Sequence, residues 1–244
     1  MYHFFVEPHQ IGAEEIRIEG ADVNHIRNVL RMKPGEEILI SSREGGDYFC
    51  RVEELEPEYV SAKILEEWEN KELPARIHLF QGLPKGDKME LIIQKAVELG
   101  AYRVVPVSMK RSVVKLDAKK ADAKRKRWNA VSESAAKQSK RSLIPEVASL
   151  MTYKEAVKEA AGYDMVLLPY ESADGIRKTR ELLASVKPGT DIAVFIGPEG
   201  GFDPEEIRTA TEAGIQPITL GKRILRTETA GFTTIAWLMY QLEN

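Results

Sequence analysis

The feature that most limits how this chain can fold is a change of hydrophobic rhythm at Pro74. Beyond it, short apolar runs alternate with longer amphipathic stretches. Residues 76–81, 102–107, 163–168, 191–196 and 217–220 read as strands. Residues 88–99, 118–140, 152–161, 175–185, 204–213 and 227–242 read as helices. Strands separated by helices of this length predict a parallel sheet, because a parallel pair needs a long crossover to bring the chain back. Before Pro74 the rhythm is that of strands: 36–41, 48–53 and 59–65, punctuated by Pro34-Gly35, Gly45-Gly46-Asp47 and Pro57. One short helix over 21–30 interrupts them. Its Val23, Ile26 and Leu30 share one face, and Arg27 and Arg31, four apart, share another stripe. Short strands with one helix suggest a small barrel. The acidic segment 66–74, closed by proline, is the natural boundary. The expected division is a β-barrel domain over 1–70 and an α/β domain over 74–244.

Charge is unevenly spread. Between Arg103 and Arg141 lie thirteen lysines and arginines against three acidic residues, so that stretch carries +10 in a chain whose net charge is −3. Such a run is often a solvated helix face. The alternative is a surface for a polyanion, where each neutralised phosphate releases counterions, and an otherwise acidic chain favours that reading, with RNA as the partner. Cys50 is the only cysteine, which excludes an intrachain disulfide and fits a reducing, cytoplasmic location. No apolar run has the length of a membrane span, and the first residues lack the layout of a signal peptide. The four histidines are scattered without ligand spacing, so no metal site is expected.

In an open parallel sheet, ligands bind at the loops that follow strand C-termini. Three such loops stand out: 168–172, 196–202 and 220–231. The second holds Gly197, Gly200 and Gly201, which permit close backbone approach, and it is followed by Asp203, Pro204 and Glu206, a helix start with a capping pair. Two readings are open for it: a ligand cradle, or a tight connection. The dinucleotide-binding, phosphate-binding-loop and nucleophile-elbow motifs are all missing, which argues against a dehydrogenase, an NTPase and a hydrolase. The third loop places Arg226 ahead of an apolar helix, with Thr227 as its candidate N-cap. A lone arginine is often surface decoration; beside a glycine loop, Arg226 reads as an anchor for a carbonyl or anionic oxygen.

These motifs, taken together and in this order, resemble those of the RsmE family of bacterial ribosomal RNA methyltransferases, which act on uridine N3 and belong to the SPOUT superfamily. The resemblance runs nearly end to end. It is carried by His25-Ile26-Arg27-Asn28-Val29-Leu30-Arg31 with Pro34-Gly35, by Lys85-Gly86-Asp87-Lys88-Met89-Glu90 with Gln94-Lys95 and Glu98-Leu99-Gly100, and by residues 196–201 and 220–230. It implies an N-terminal PUA-like β-barrel and a C-terminal parallel-sheet α/β domain with a deep trefoil knot, a topology that general rules would not propose. It further implies S-adenosylmethionine as cofactor, 16S ribosomal RNA in the small subunit as substrate, and a homodimer. Carried over, the cofactor pocket is lined by Leu168, Pro169, Ile196, Gly197, Gly201, Leu220, Ile224, Leu225, Thr229 and Ala230. Lys137 and Lys140 depart from the family's Glu-Gln-Ser-Gly-Arg stretch, whereas Gln138, Ser139 and Arg141 match it.

Uridine N3 is a poor nucleophile while it keeps its proton, and the three loops contain no histidine to remove it. Arg226, with Arg111 or Arg141, is expected to bind a uracil carbonyl and stabilise the anion. His25, Arg27, Arg31 and Gln138 are further candidates for RNA contact; for the first three, ordinary surface decoration is the alternative. Two other functions compete: methylation of ribose 2′-OH, and a non-catalytic RNA-binding assembly factor.

Overall fold

The computed structural model describes all residues except Glu44, 172–174, Gln216 and Asn244. The chain divides into two compact units, one of residues 1–72 with 136–144, the other of residues 73–135 with 145–244.

The first unit is a curled five-stranded sheet made of β1 (Tyr2–Val6), β2 (Glu15–Glu19), β3 (Glu37–Ser42), β4 (Asp47–Leu55) and β5 (Tyr59–Trp68) in the order β1-β3-β4-β5-β2. Only the β1–β3 pair is parallel. Two register shifts in β4, at Phe49/Cys50 and Val52/Glu54, bend the ribbon so that it wraps its own core. Ile16, Ile18, Ile26, Ile38, Ile40 and Val60 fill that core. The expected helix is present but is not regular. Helix α1 (Ala21–Asn24) widens into a π-helical turn over His25–Val29, and Arg31 follows with φ 53°. Val23 and Ile26 are buried as expected. The common stripe expected for Arg27 and Arg31 is lost, because the wider turn and the left-handed residue break the four-residue spacing.

A buried polar chain crosses this unit. Ser41 donates its hydroxyl proton to the Asp47 carboxylate, so it accepts from His3 Nε2 at 2.8 Å. His3 is 5% exposed. Burial, followed by the charge of Lys137, pushes its pKa down to about 4.

The second unit carries the predicted alternation. Its strands are β6 (Arg76–Gly82), β7 (Arg103–Ser108), β8 (Glu146–Val147), β9 (Met151–Thr152), β10 (Met165–Pro169), β11 (Asp191–Ile196) and β12 (Pro217–Ile218). They form one sheet in the order β12-β10-β11-β6-β7-β8, with β9 also on β7, and every pair is parallel. Its helices are α2 (Lys88–Glu98), α3 (Ala118–Ser139), α4 (Tyr153–Ala160), α5 (Ile176–Ala184), α6 (Pro204–Glu212) and α7 (Thr227–Leu242); the last residues of α3 belong to the first unit. The core centres on Phe80 of β6 stacked on Phe195 of β11, ring centroids 4.7 Å apart. Among the described residues no helix is long and apolar enough to cross a membrane, and no group of three or more His, Cys, Asp or Glu could hold a metal ion.

The buried His3 gives the first prediction. Its folded-state pKa of about 4 lies below the ordinary value of 6.5, so the unfolded chain binds a proton that the folded unit refuses. Stability is therefore complete above pH 6.5 and is lost as pH falls from 6.5 toward 4, by about 3 kcal/mol from this group. Urea unfolding between pH 7 and pH 4.5 should show the loss, and His3→Gln should flatten it. Equal slopes in both proteins would contradict the assignment.

Candidate active site

Parallel pairing brings the loops after β10, β11 and β12 to one edge of the sheet. The loop after β11 is the tightest. Gly201 has φ 67°, a conformation that disfavours any side chain. A Cβ on Gly197 would meet the Gly201 carbonyl carbon at 3.2 Å and the Phe202 nitrogen at 3.3 Å. The loop is held from behind by α6. Asp203 caps that helix by accepting from Glu205 N at 3.1 Å, and Glu206 accepts from Asp203 N at 2.8 Å. The other Glu206 oxygen accepts from Lys110 N at 2.8 Å. The capping pair expected from Asp203 and Glu206 is therefore present.

The loop before α7 departs from expectation. Arg226, not Thr227, occupies the N-cap position, with φ −65° and ψ 155°, and no side chain caps the helix. Thr227 is the first helical residue, and its hydroxyl reaches across to donate to the Gly197 carbonyl at 2.6 Å. Gln81, at the end of β6, donates to the same Thr227 oxygen at 2.9 Å. A threonine engaged in this way has no hydroxyl left for its own helix. In the remaining loop, Tyr170 N donates to Ile218 O at 2.9 Å, tying β10's exit to β12; Ser172 lies outside the described residues.

Between the three loops is a cleft of about 470 Å³. Its walls include Pro169, Ile196, Gly197, Gly201, Leu220, Ile224, Leu225 and Ala230. Of the residues expected there, only Leu168 and Thr229 are not in the lining: Leu168 is fully buried in the core, and Thr229 is exposed on α7. Arg226 and Arg111 both line the cleft, and Arg111 is held at its rim by donating to Gly200 O at 3.1 Å. Sequence reasoning named Lys88 as part of a motif but not as a site residue. Its ammonium lies 3.1 Å from Glu199 and 3.6 Å from Glu228, and the side chain lines the cleft. The Glu199 hydrogen bond, outweighing burial, holds the Lys88 pKa above its ordinary value, so the group stays charged. Arg223 and Glu199 also line the cleft and were missed, as solvated-looking charges in a loop.

The other RNA candidates belong to the first unit. His25 and Arg31 are exposed, Arg27 is half-buried and Gln138 is exposed. Arg141 is different: it is 5% exposed, and its Nε lies 2.9 Å from both oxygens of Glu72. The same carboxylate accepts from Ser142 N at 2.8 Å. The basic block as a whole is extensively paired. Arg127 binds Glu90, Arg125 and Lys126 bind Asp122, Lys120 binds Asp117, and Lys137 binds Asp22. Among the described residues of the block, Lys115, Lys119, Lys124 and Lys140 have no ion-pair partner.

Glu72→Ala strands the Arg141 charge, and removing one partner of a buried pair costs about 3–5 kcal/mol. Denaturant unfolding should show that loss; a change under about 0.5 kcal/mol would show that the pair is not buried as described.

Residues 71–239 match the RNA methyltransferase domain family, and residues 18–65 match the RNA methyltransferase PUA domain. The whole chain is 37% identical to ribosomal RNA small subunit methyltransferase E of Bacillus subtilis, covering 98% of that protein. The crystal structure of ribosomal RNA small subunit methyltransferase E from Neisseria gonorrhoeae, bound to S-adenosyl methionine, superposes with a TM-score of 0.79 at 34% identity, over 97% of this chain and 96% of that one. A Legionella pneumophila structure in complex with the same cofactor superposes with a TM-score of 0.83 at 30% identity, over 98% and 97%. A curled PUA-type sheet followed by a parallel α/β domain, matched in sequence from end to end, leads to one conclusion: the chain belongs to the ribosomal RNA small subunit methyltransferase E family, RNA methyltransferases of the SPOUT type.

Proposed function

We propose that this chain methylates N3 of a uridine in 16S ribosomal RNA, using S-adenosylmethionine. The observation that carries the reading is the cleft in which three strand-tip loops converge with Arg226 and Arg111 in its wall. The cofactor fits that cleft. Its volume of about 470 Å³ lies in the range of small-molecule sites. Ile196, Leu220, Leu225 and Ala230 supply apolar faces for a purine, and the glycine loop supplies backbone polar groups at close range. Ile224 is 82% exposed at the mouth, an apolar side chain that a bound nucleoside would cover.

When bound, the cofactor supplies an electrophilic methyl group. The protein's task is to present N3 in line and to make loss of its proton to solvent water tolerable. The Arg226 guanidinium donates to a uracil carbonyl and stabilises the charge that develops there, as an oxyanion site does. Arg111 and the ammonium of Lys88 extend the same cationic wall. Arg141, whose guanidinium is held by Glu72, is not assigned to this step. Holding the base against the donor contributes further, through orientation.

The uridine must be unpaired or turned out of its helix to enter the cleft. His25, Arg27 and Arg31 of the first unit, Gln138, and Lys119 and Lys124 of α3 are assigned to RNA contact. A homodimer in the cytoplasm belongs to this reading, and Tyr240, 70% exposed on the apolar α7, suits a helix that packs against a second copy. The trefoil knot belongs to it as well, formed by the loops at 196–201 and 220–230.

Small subunits or 16S RNA from cells lacking this protein, incubated with purified protein and labelled S-adenosylmethionine, should yield labelled N3-methyluridine on nucleoside analysis. Label at ribose, or none, would overturn the proposal. Arg226→Ala should lower turnover by about 10²–10³-fold while cofactor binding stays within about threefold. Unchanged turnover would remove Arg226 from the mechanism.

A further inference from the structure

We infer that the relay from Gln81 through Thr227 to Gly197 is the positioning element that registers Arg226 against the methyl-donor cradle. The inference deepens the proposed function and rests on it for the role of Arg226, but the relay itself is read from geometry.

The direction of each hydrogen bond is fixed by chemistry. A backbone carbonyl can only accept, so Thr227 must give its proton to Gly197 O at 2.6 Å. Its lone pair then receives the Gln81 amide at 2.9 Å. The same Gln81 nitrogen donates to Gly82 O at 3.0 Å, so two acceptors set the orientation of the amide. Gln81 is fully buried, and its Oε1 has no hydrogen-bond partner among the described residues. An unsatisfied buried oxygen is costly, and a leucine of similar size would avoid it. What glutamine supplies here, and leucine cannot, is the N–H donated to Thr227.

The relay also replaces the usual device for fixing a helix start. α4 and α6 are both pinned by capping boxes, Thr152 with Glu155 and Asp203 with Glu206. α7 has no side-chain cap, and Arg226 sits at its N-cap position. The start of α7 is tied instead to the tip of β6 and to the glycine loop after β11. Gln81 and Ile196 are register partners across β6 and β11, so the relay links the tips of two neighbouring strands through the start of α7. One threonine hydroxyl thus holds the backbone next to Arg226 and the carbonyl of a cradle residue in one fixed relation. Small displacements of reacting groups cost large factors in rate, so a loosened relay lowers turnover more than it lowers RNA binding.

The test uses the full-length protein with four variants: Thr227→Val, Thr227→Ser, Gln81→Leu, and Thr227→Val combined with Gln81→Leu. Cofactor affinity is measured by calorimetry, and methyl transfer to 16S RNA by kcat and KM, with thermal unfolding as the check on folding. Thr227→Val is expected to weaken cofactor binding about fivefold, the worth of one hydrogen bond. It is expected to lower kcat about 10²-fold with the RNA KM within about twofold. Thr227→Ser keeps the hydroxyl and should stay within about threefold of the parent on every readout. Gln81→Leu should fall in the same direction as Thr227→Val, and the double variant should be no worse than the poorer single one, because both break one chain. If Thr227→Val does not fold, Gln81→Leu and Thr227→Ser carry the same comparison. Parent-like kcat and cofactor affinity in Thr227→Val and Gln81→Leu, equal damage from Thr227→Ser, or strict additivity would each overturn the inference. Should the parent make no N3-methyluridine, the proposed function fails, and the cofactor affinities still decide the relay.

Discussion

The constraint on which the rest depends is the parallel pairing of β11 between β10 and β6. Asp191 through Ile196 are in register with Arg76 through Gln81 on one side, and Ile192 through Val194 with Met165 through Leu167 on the other. Because these strands run the same way, their exits lie on one edge, and the turns that follow must share it. The register is held by an apolar interior: Ile77, Leu79, Phe80, Val194 and Phe195 are all fully buried. A one-residue slip would turn these side chains to the opposite faces of the sheet. The other end of the sheet is tied by charge, with Asp191 receiving Arg76 and His78 at 3.1 Å from Nε2. The two ends have different work. One is closed by ion pairs and aromatic packing; the other is left open and lined by backbone.

The open end acquires its shape from devices with separate origins. Glycines let the loop after β11 fold on itself, the α6 capping box fixes where it leaves, and the Thr227 hydroxyl fixes where α7 begins. Onto this frame the chain places cations whose partners hold them in position: Lys88 between Glu199 and Glu228, and Arg111 against Gly200 O. In the first unit the same residue types do other work. Arg141 and Lys137 are taken up by Glu72 and Asp22, so much of the dense positive charge near the end of α3 is spent on holding that unit together.

Much of this was legible in the sequence, for reasons that can be named. In the second unit apolar runs of strand length alternate with stretches of helix length, and the expected spans of β11 and α7 coincide with those observed. β1 was missed because four of its five residues are buried, which removes the alternation that marks a strand. β8 and β9 have two residues each, too few to show any period. The π-helical turn at His25–Val29 looked like an ordinary helix, since one extra residue per turn does not disturb so short a pattern. Arg141 looked like part of a basic surface because its partner, Glu72, lies 69 residues away. Thr227 looked like a helix cap because local sequence cannot show that a hydroxyl is needed by Gly197, thirty residues earlier. For Arg141 and Thr227 the missing information was a tertiary partner.

The proposed function requires the three loops to form a single cradle for the methyl donor. Hydrogen–deuterium exchange of the full chain, with and without saturating S-adenosylmethionine, tests it most directly. Slowed exchange is expected in residues 168–171, 196–201 and 219–230, with the sheet interior unchanged. Protection elsewhere in the chain, with these three loops unaffected by bound cofactor, would contradict it.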